Sequence, residues 1–264
     1  MIISGVSSAS LYPLHTEDAV RVLGEMGVRN AEIFINDYSE SEGAIFKEIQ
    51  KIVSDYNMNI TSLHPFPPME SGYLFSEYDR RQNSYLDLYR HYFDCMNRLG
   101  AKIFVLHGAI LSSKCPDERY FEQYAKLLDA ADEFGVTVAQ ENICYCKSGD
   151  MDFIRRLKEN CGERVKLLLD IKQAVRSGIS PFDFIDNFGS DIVHIHISDN
   201  SPDGDCLPVG KGSFDFPKLI KRLSEIGYDG ALLLELYRHN YGEYTELYEG
   251  MKKVEQIVAN FAKI

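Results

Sequence analysis

The chain has 264 residues, of which 45% are hydrophobic and 26% charged, the make-up of an ordinary folded protein rather than a disordered one. A formal net charge of −12 argues against a large nucleic-acid footprint, which calls for a basic stripe or patch. No apolar window approaches the ~18 residues of a membrane span and no leader-like pattern opens the chain, so neither a membrane nor export is expected. Apolar runs rich in β-branched residues alternate with longer amphipathic stretches from end to end. Strands are predicted over 2–6, 30–35, 60–63, 102–107, 136–140, 165–170, 192–197 and 231–236. Between them, helical spacing places Ala19, Val20, Leu23 and Met26 on one face of 16–26, and Leu86, Leu88, Tyr89, Tyr92, Phe93 and Met96 on one face of 85–99. The stretches 117–134 and 215–226 behave alike, with Asp117 and Asp215 as candidate caps. Gly27, Gly100, Gly135 and Gly227 each stand where a helix should stop, a residue or two before a strand.

Repetition of helix, glycine, short link and strand is the punctuation of α/β units joined by right-handed crossovers. Eight units favour a single (β/α)8 barrel over residues 1–264, with the active site at the C-terminal face of the strands. The longest irregular stretches, 65–75, 108–116, 142–149 and 199–214, all follow predicted strands. The closing helix, 243–264, carries Leu247, Met251, Val254, Ile257, Val258 and Phe261, a stripe expected to pack on the barrel. A homo-oligomer is compatible with this sequence, but no feature specifies one. The six cysteines show no Cys-x-x-Cys spacing, so reduced thiols and a cytoplasmic setting are expected.

Gln140-Glu141-Asn142 ends the run Val136–Ala139, and a carboxylate in such a place is costly unless something cationic meets it. The device recurs: Leu167-Leu168-Leu169 ends in Asp170, Ile192–Ile195 in His196, and Ala231–Leu234 in Glu235. Four ligand-type side chains at the mouths of successive strands point to one divalent metal ion. Three carboxylates and one imidazole suit Mn²⁺, Mg²⁺ or Co²⁺, with Zn²⁺ and Fe²⁺ also compatible. His64 and His107 take the equivalent place after strands three and four, as substrate contacts, as part of a second metal site, or in a purely structural role. His194, which alternates with His196 in the same strand, is expected on the opposite side, facing the helices.

The ordered set Ser-Leu-His64-Pro, Val-Leu-His107-Gly, Gln-Glu141-Asn, Leu-Asp170-Ile-Lys-Gln-Ala, His-Ile-His196-Ile-Ser-Asp199, Pro-Val-Gly-Lys211-Gly and Leu-Glu235-Leu resembles the xylose-isomerase-like barrel superfamily. That superfamily includes sugar and sugar-phosphate isomerases and epimerases, inosose dehydratases and apurinic-site endonucleases. The resemblance runs from the first strand to the last helix. It implies that Glu141, Asp170, His196 and Glu235 ligate the metal, and that Glu141 and Glu235 act as base and acid on opposite faces of the substrate. It also implies that His196 and Asp199 form a His-x-x-Asp pattern on strand seven. Gln173 stands where many members carry a histidine, which counts against a trinuclear site. Lys211 replaces a usual glutamate and is a candidate contact for an anionic group or a surface lysine.

The reaction implied is isomerisation or epimerisation of a small polyhydroxylated sugar, sugar phosphate or cyclitol through a metal-stabilised enediolate. His64, His107, Gln173, Asp199 and Lys211 are the substrate-binding candidates, and Tyr12, Tyr73, Tyr145 and Tyr237 the candidate wall. An inosose-type dehydratase would use the same metal. An apurinic-site endonuclease would gain a second metal from His64, His107 and Glu141, against an acidic balance that disfavours DNA. A sugar-sensing barrel without catalysis is a third alternative, disfavoured because a binder has no need of paired acid/base glutamates.

Overall fold

Alternation of inward and outward side chains along eight short apolar runs gives, in the computed structural model, eight parallel strands that close on themselves. The structure describes residues 2–66 and 73–261. In order around the barrel these are β1 (Ile3–Ser7), β2 (Asn30–Ile35), β3 (Asn59–Pro65), β4 (Ile103–Leu106), β5 (Thr137–Glu141), β6 (Lys166–Asp170), β7 (Ile192–Ile197) and β10 (Ala231–Leu234), with β10 pairing back onto β1. This is the (β/α)8 barrel expected from the sequence, every strand lying within two residues of its predicted bounds. The remaining two strands, β8 (Asp199–Ser201) and β9 (Gly204–Leu207), form an antiparallel hairpin after β7. The stretch 199–214 is therefore partly ordered, where an irregular loop was expected.

Helices Thr16–Glu25, Asp117–Phe134 and Phe216–Glu225 fall where periodicity puts them. Helix Asp79–Leu99 begins six residues before the predicted start, because its first turn is polar and carries no apolar period to read. Asp215 caps its helix by accepting the N–H of Lys218 at 2.9 Å. Asp117 does not cap: it is the first helical residue, and its carboxylate instead binds Lys147 at 2.6 Å and Arg156 at 2.8 Å. The last described helix, Thr245–Phe261, packs Leu247, Met251 and Val254 against the barrel. Among the described residues no helix is long and apolar enough to cross a membrane.

The main core lies between strands and helices, and burial of each large apolar side chain there contributes roughly 1.5–3 kcal/mol. Inside the barrel the side chains change character with height. Val105, Ala139 and Leu168 form a small separate apolar cluster. Two residues further along β5 and β6 come Glu141 and Asp170, on the same face as Ala139 and Leu168. The barrel is apolar at Val105, Ala139 and Leu168 and ionisable at its C-terminal mouth.

Candidate active site and metal cluster

The Gln140-Glu141-Asn142 sequence divides its work along one strand end. Gln140 points outward, where its Nε2 donates to the carbonyls of Leu106 (2.9 Å) and His107 (3.0 Å) and its Oε1 accepts from Tyr120 at 2.5 Å. Gly108 makes room for that hydroxyl: its φ of +82° suits glycine, and an added Cβ would overlap the Tyr120 oxygen. Asn142 bonds β6 through both ends of its amide, accepting from Asp170 N at 2.7 Å and donating to Asp170 O at 3.1 Å. The two amides fix the tips of β4, β5 and β6 against one another. Glu141, between them, is left free to point inward.

Asp170 is shared in a similar way. Its Oδ1 caps the helix Ile171–Arg176 by accepting Gln173 N–H at 2.9 Å, which leaves Oδ2 for the barrel mouth. Asp170 pairs in register with His196, and His196 with Leu233, so Glu235 arrives two residues above Leu233 on the same face. One ligand atom from each of Glu141, Asp170, His196 and Glu235 lies within 4.8 Å of the others. His196 Nδ1 is the hub, 3.7 Å from Glu141 Oε1, 3.9 Å from Asp170 Oδ2 and 3.6 Å from Glu235 Oε2. The four strand tips picked out by sequence do meet.

His64 and His107 join them. Their Nε2 atoms are 2.7 Å apart, and His107 Nε2 is 3.0 Å from Glu141 Oε2. His64 also reaches Glu235 Oε1 at 3.8 Å through Nδ1. A cavity of about 210 Å³ opens above the cluster, with His64, His107, Glu141, Lys172, Gln173 and Glu235 in its walls. Tyr12, Phe66, Tyr145 and Tyr237 ring its mouth and are four of the eight large hydrophobic side chains exposed among the described residues. Tyr73, expected in this wall, instead packs on Tyr85 with ring centroids 5.2 Å apart.

Two of the expected substrate contacts are placed elsewhere. Asp199 is buried, and its carboxylate accepts the N–H groups of Asn200, Gly210, Gly212 and Phe214 at 2.8–3.0 Å. All of its capacity goes into pinning the segment after the hairpin, so it is an anchor and does not line the cavity. Gly212 belongs to the same anchor, since a Cβ there would strike Asp199 Oδ1 and the Asn200 carbonyl. Lys211 is exposed to solvent and also lies off the cavity wall, the surface alternative of its two readings. Gln173 does line the cavity, with Oε1 accepting Cys144 N–H at 3.3 Å.

Three comparisons place the chain among known proteins. A family model described as xylose isomerase-like TIM barrel matches residues 20–258. The chain belongs to that family. An uncharacterized protein of Methanocaldococcus jannaschii is 21% identical, covering 96% of this chain and 89% of its own length. Among solved structures, a D-tagatose 3-epimerase-like protein superposes with a TM-score of 0.81 at 18% identity, covering 98% of this chain and 99% of its own. The IOLI protein with a bound zinc atom gives 0.75 at 18% identity over 98% and 99%. At these identities the two superpositions show the shared fold.

Two residues of this barrel mouth escape a reading based on strand tips. Glu32 lies in the middle of β2, fully buried, and accepts hydrogen bonds from Ser7 and Ser62, each at 2.8 Å. Its Oε2 is 3.1 Å from His196 Nε2, and its Oε1 is 3.4 Å from His64 Nδ1. Burial alone would raise its pKa, but His196, His194 and His64 hold it well below the usual carboxylate range. A carboxylate on the other nitrogen of an imidazole fixes which nitrogen faces the site, here Nδ1 of His196. The signal was present: a glutamate inside Ala31–Ile35 is as conspicuous as one at a strand end. His194 belongs to the same layer, 3.0 Å from Ser62 Oγ and 3.4 Å from Glu32. The expectation that it faces the helices is overturned because residues two apart in a strand share a face. Burial lowers its pKa and favours the neutral ring.

Lys172 is the second. Its buried ammonium donates to Glu235 Oε2 at 2.7 Å and lies 2.9 Å from Asp170 Oδ2. Burial opposes its charge, but Asp170 and Glu235 raise its pKa well above the ordinary lysine value. Burial also pushes the Asp170 carboxyl up to about 6, aided by Glu141 and Glu235 and resisted by Lys172. Glu141, despite burial, is held well below the usual range by His107 and His196. Among the described residues, Glu141 Oε2, Asp170 Oδ2 and His196 Nδ1 are buried without a hydrogen-bond partner. The contacts of His107 and Lys172 with those oxygens are at ion-pair distance but off hydrogen-bond alignment. Unpartnered carboxylate oxygens on an oxygen-rich donor set fit a divalent cation, which would displace the proton that Glu32 and Glu235 hold on His196 despite its burial.

Proposed function

We propose that the chain is a divalent-metal-dependent isomerase or epimerase of a small polyhydroxylated carbonyl compound, moving a proton on the carbon beside the carbonyl. The observation that carries this reading is the convergence of Glu141, Asp170, His196 and Glu235, whose ligand atoms lie within 4.8 Å of one another, with buried unpartnered atoms on Glu141, Asp170 and His196. Those four residues would hold the ion, and the donor set favours Mn²⁺, Mg²⁺ or Co²⁺, with the zinc of the IOLI protein supporting Zn²⁺ as well. A divalent cation there supplies Lewis-acid stabilisation of the negative charge that develops on the carbonyl oxygen.

The chain's own groups do the rest. Glu141, kept ionised by His107 and His196, accepts the proton. Glu235, at the end of β10 and separated from β5 by β6 and β7 around the barrel, returns a proton from the other side, and epimerisation requires donors on both faces. His64, His107 and Gln173 stand in the cavity wall to orient hydroxyls. The exposed rings of Tyr12, Phe66, Tyr145 and Tyr237 gain a partner when a sugar ring lies against them, and they then shut water out. The test is solvent deuterium incorporation into ketoses, their phosphates and inososes by metal-loaded protein. Exchange that disappears in Glu141→Gln and Glu235→Gln supports the reading, and full activity with full metal in both variants sinks it.

A second reading has one observation behind it. His64, His107 and Glu141 bring ligand atoms within 4.8 Å of each other, as a second ion would require. That pattern suits apurinic-site phosphodiester cleavage, and nicking of an abasic duplex tests it. The net charge of −12 stands against it.

A further inference from the structure

Lys172 has no task in the proton transfers above, yet it is the one lysine or arginine among the described residues of the cavity wall. It sits in the first turn after β6, 2% exposed, with its ammonium on Asp170 Oδ2 and Glu235 Oε2. Both oxygens also face His196 Nδ1, at 3.9 and 3.6 Å, so they point toward the place where the four ligands converge. Arg176, the nearest cation on the same helix, is taken up by Asp205 at 2.6 Å and the Tyr237 hydroxyl at 2.8 Å and cannot substitute. An ammonium and a divalent ion compete for the same oxygens and repel each other at that range.

We propose that Lys172 is a resident cation of the metal cluster, a positioning residue that holds Asp170 and Glu235 together in the metal-free protein and competes with the divalent ion for them. The inference rests on the proposed metal site and adds to it a built-in limit on affinity. His196 alone would otherwise stand between three mutually repelling buried carboxylates, and the ammonium adds a second positive group that keeps Asp170 and Glu235 in a geometry the ion can enter. When the ion takes these oxygens, the ammonium turns toward the cavity and the face of the Tyr237 ring, 5.1 Å away.

The test compares Mn²⁺ binding by calorimetry in chelator-stripped wild type and Lys172→Met, with circular dichroism melting as the check on folding. The variant is expected to bind about tenfold more tightly, since the competitor is gone, while its metal-free form melts lower. Equal or weaker binding by a folded variant, with wild type binding normally, overturns this inference alone. Failure of both proteins to bind metal overturns the metal site with it. A second measurement needs no variant: the Lys172 ammonium resonance of ¹⁵N-lysine-labelled wild type should shift in proportion to bound Mg²⁺, and a resonance unmoved at saturation contradicts the competition.

Discussion

Glu32→Gln tests how the barrel interior governs its mouth. The substitution preserves shape but removes the charge that faces His196 at 3.1 Å and His64 and His194 at 3.4 Å. It also converts one acceptor oxygen into a donor, in a fully buried place where Ser7 and Ser62 already donate at 2.8 Å. Breaking a buried charge pair by removing one partner costs about 3–5 kcal/mol. In a chain of this size each kcal/mol lowers the melting temperature by about 2–4 °C, so a drop of roughly 10 °C is expected. Loss of a carboxylate behind a ligating imidazole costs about 10–100-fold in metal affinity, because His196 no longer has a reason to keep Nδ1 toward the ion. Melting of the metal-free protein and Mn²⁺ calorimetry measure the two effects separately. A Glu32→Gln protein that melts within about 2 °C of wild type and binds metal within about threefold refutes the layered account.

Other outcomes follow from the same geometry. Glu141→Gln and Glu235→Gln should each lower substrate deuterium exchange by about 10²-fold or more, read by mass spectrometry of the recovered sugar. Metal affinity should fall as pH drops from 7 through about 6 and more steeply below it, because burial keeps a proton on the Asp170 carboxyl up to that pH. His196, raised well above the ordinary imidazole value by Glu32 and Glu235 despite its burial, must also give up its proton to the ion. Affinity that is flat from pH 7 to 5 would contradict that assignment. Asp199→Ala leaves four backbone N–H groups without their acceptor and should cost about 3 kcal/mol or more in urea unfolding. In the same variant the affinity for metal should hardly change, since Asp199 does not line the cavity.

Much of this architecture could be read from the amino-acid order because the barrel repeats one unit and marks each repeat. A carboxylate or imidazole after three or four apolar residues is conspicuous, and Glu141, Asp170, His196 and Glu235 were found by that contrast alone. Glu32 obeys the same physics but sits mid-strand, where a search confined to strand ends does not look. His194 lies two residues from His196 and so shares its face, which the strand's two-residue period makes legible without coordinates. Lys172 could not be placed from sequence, because a lysine in the first turn of a helix is usually solvated, and only barrel closure brings Glu235 to within 2.7 Å of it. Asp199 and Lys211 depended on the path of the segment after β7, which the β8–β9 hairpin redirects and no local pattern announces.

The central claim is that four strand tips share one cation, and anomalous diffraction from crystals grown with Mn²⁺ tests it most directly. A single strong peak about 2.0–2.3 Å from Glu141, Asp170, His196 Nδ1 and Glu235 is the result expected. A peak bound elsewhere, or none at millimolar Mn²⁺ with those four side chains ordered, contradicts it.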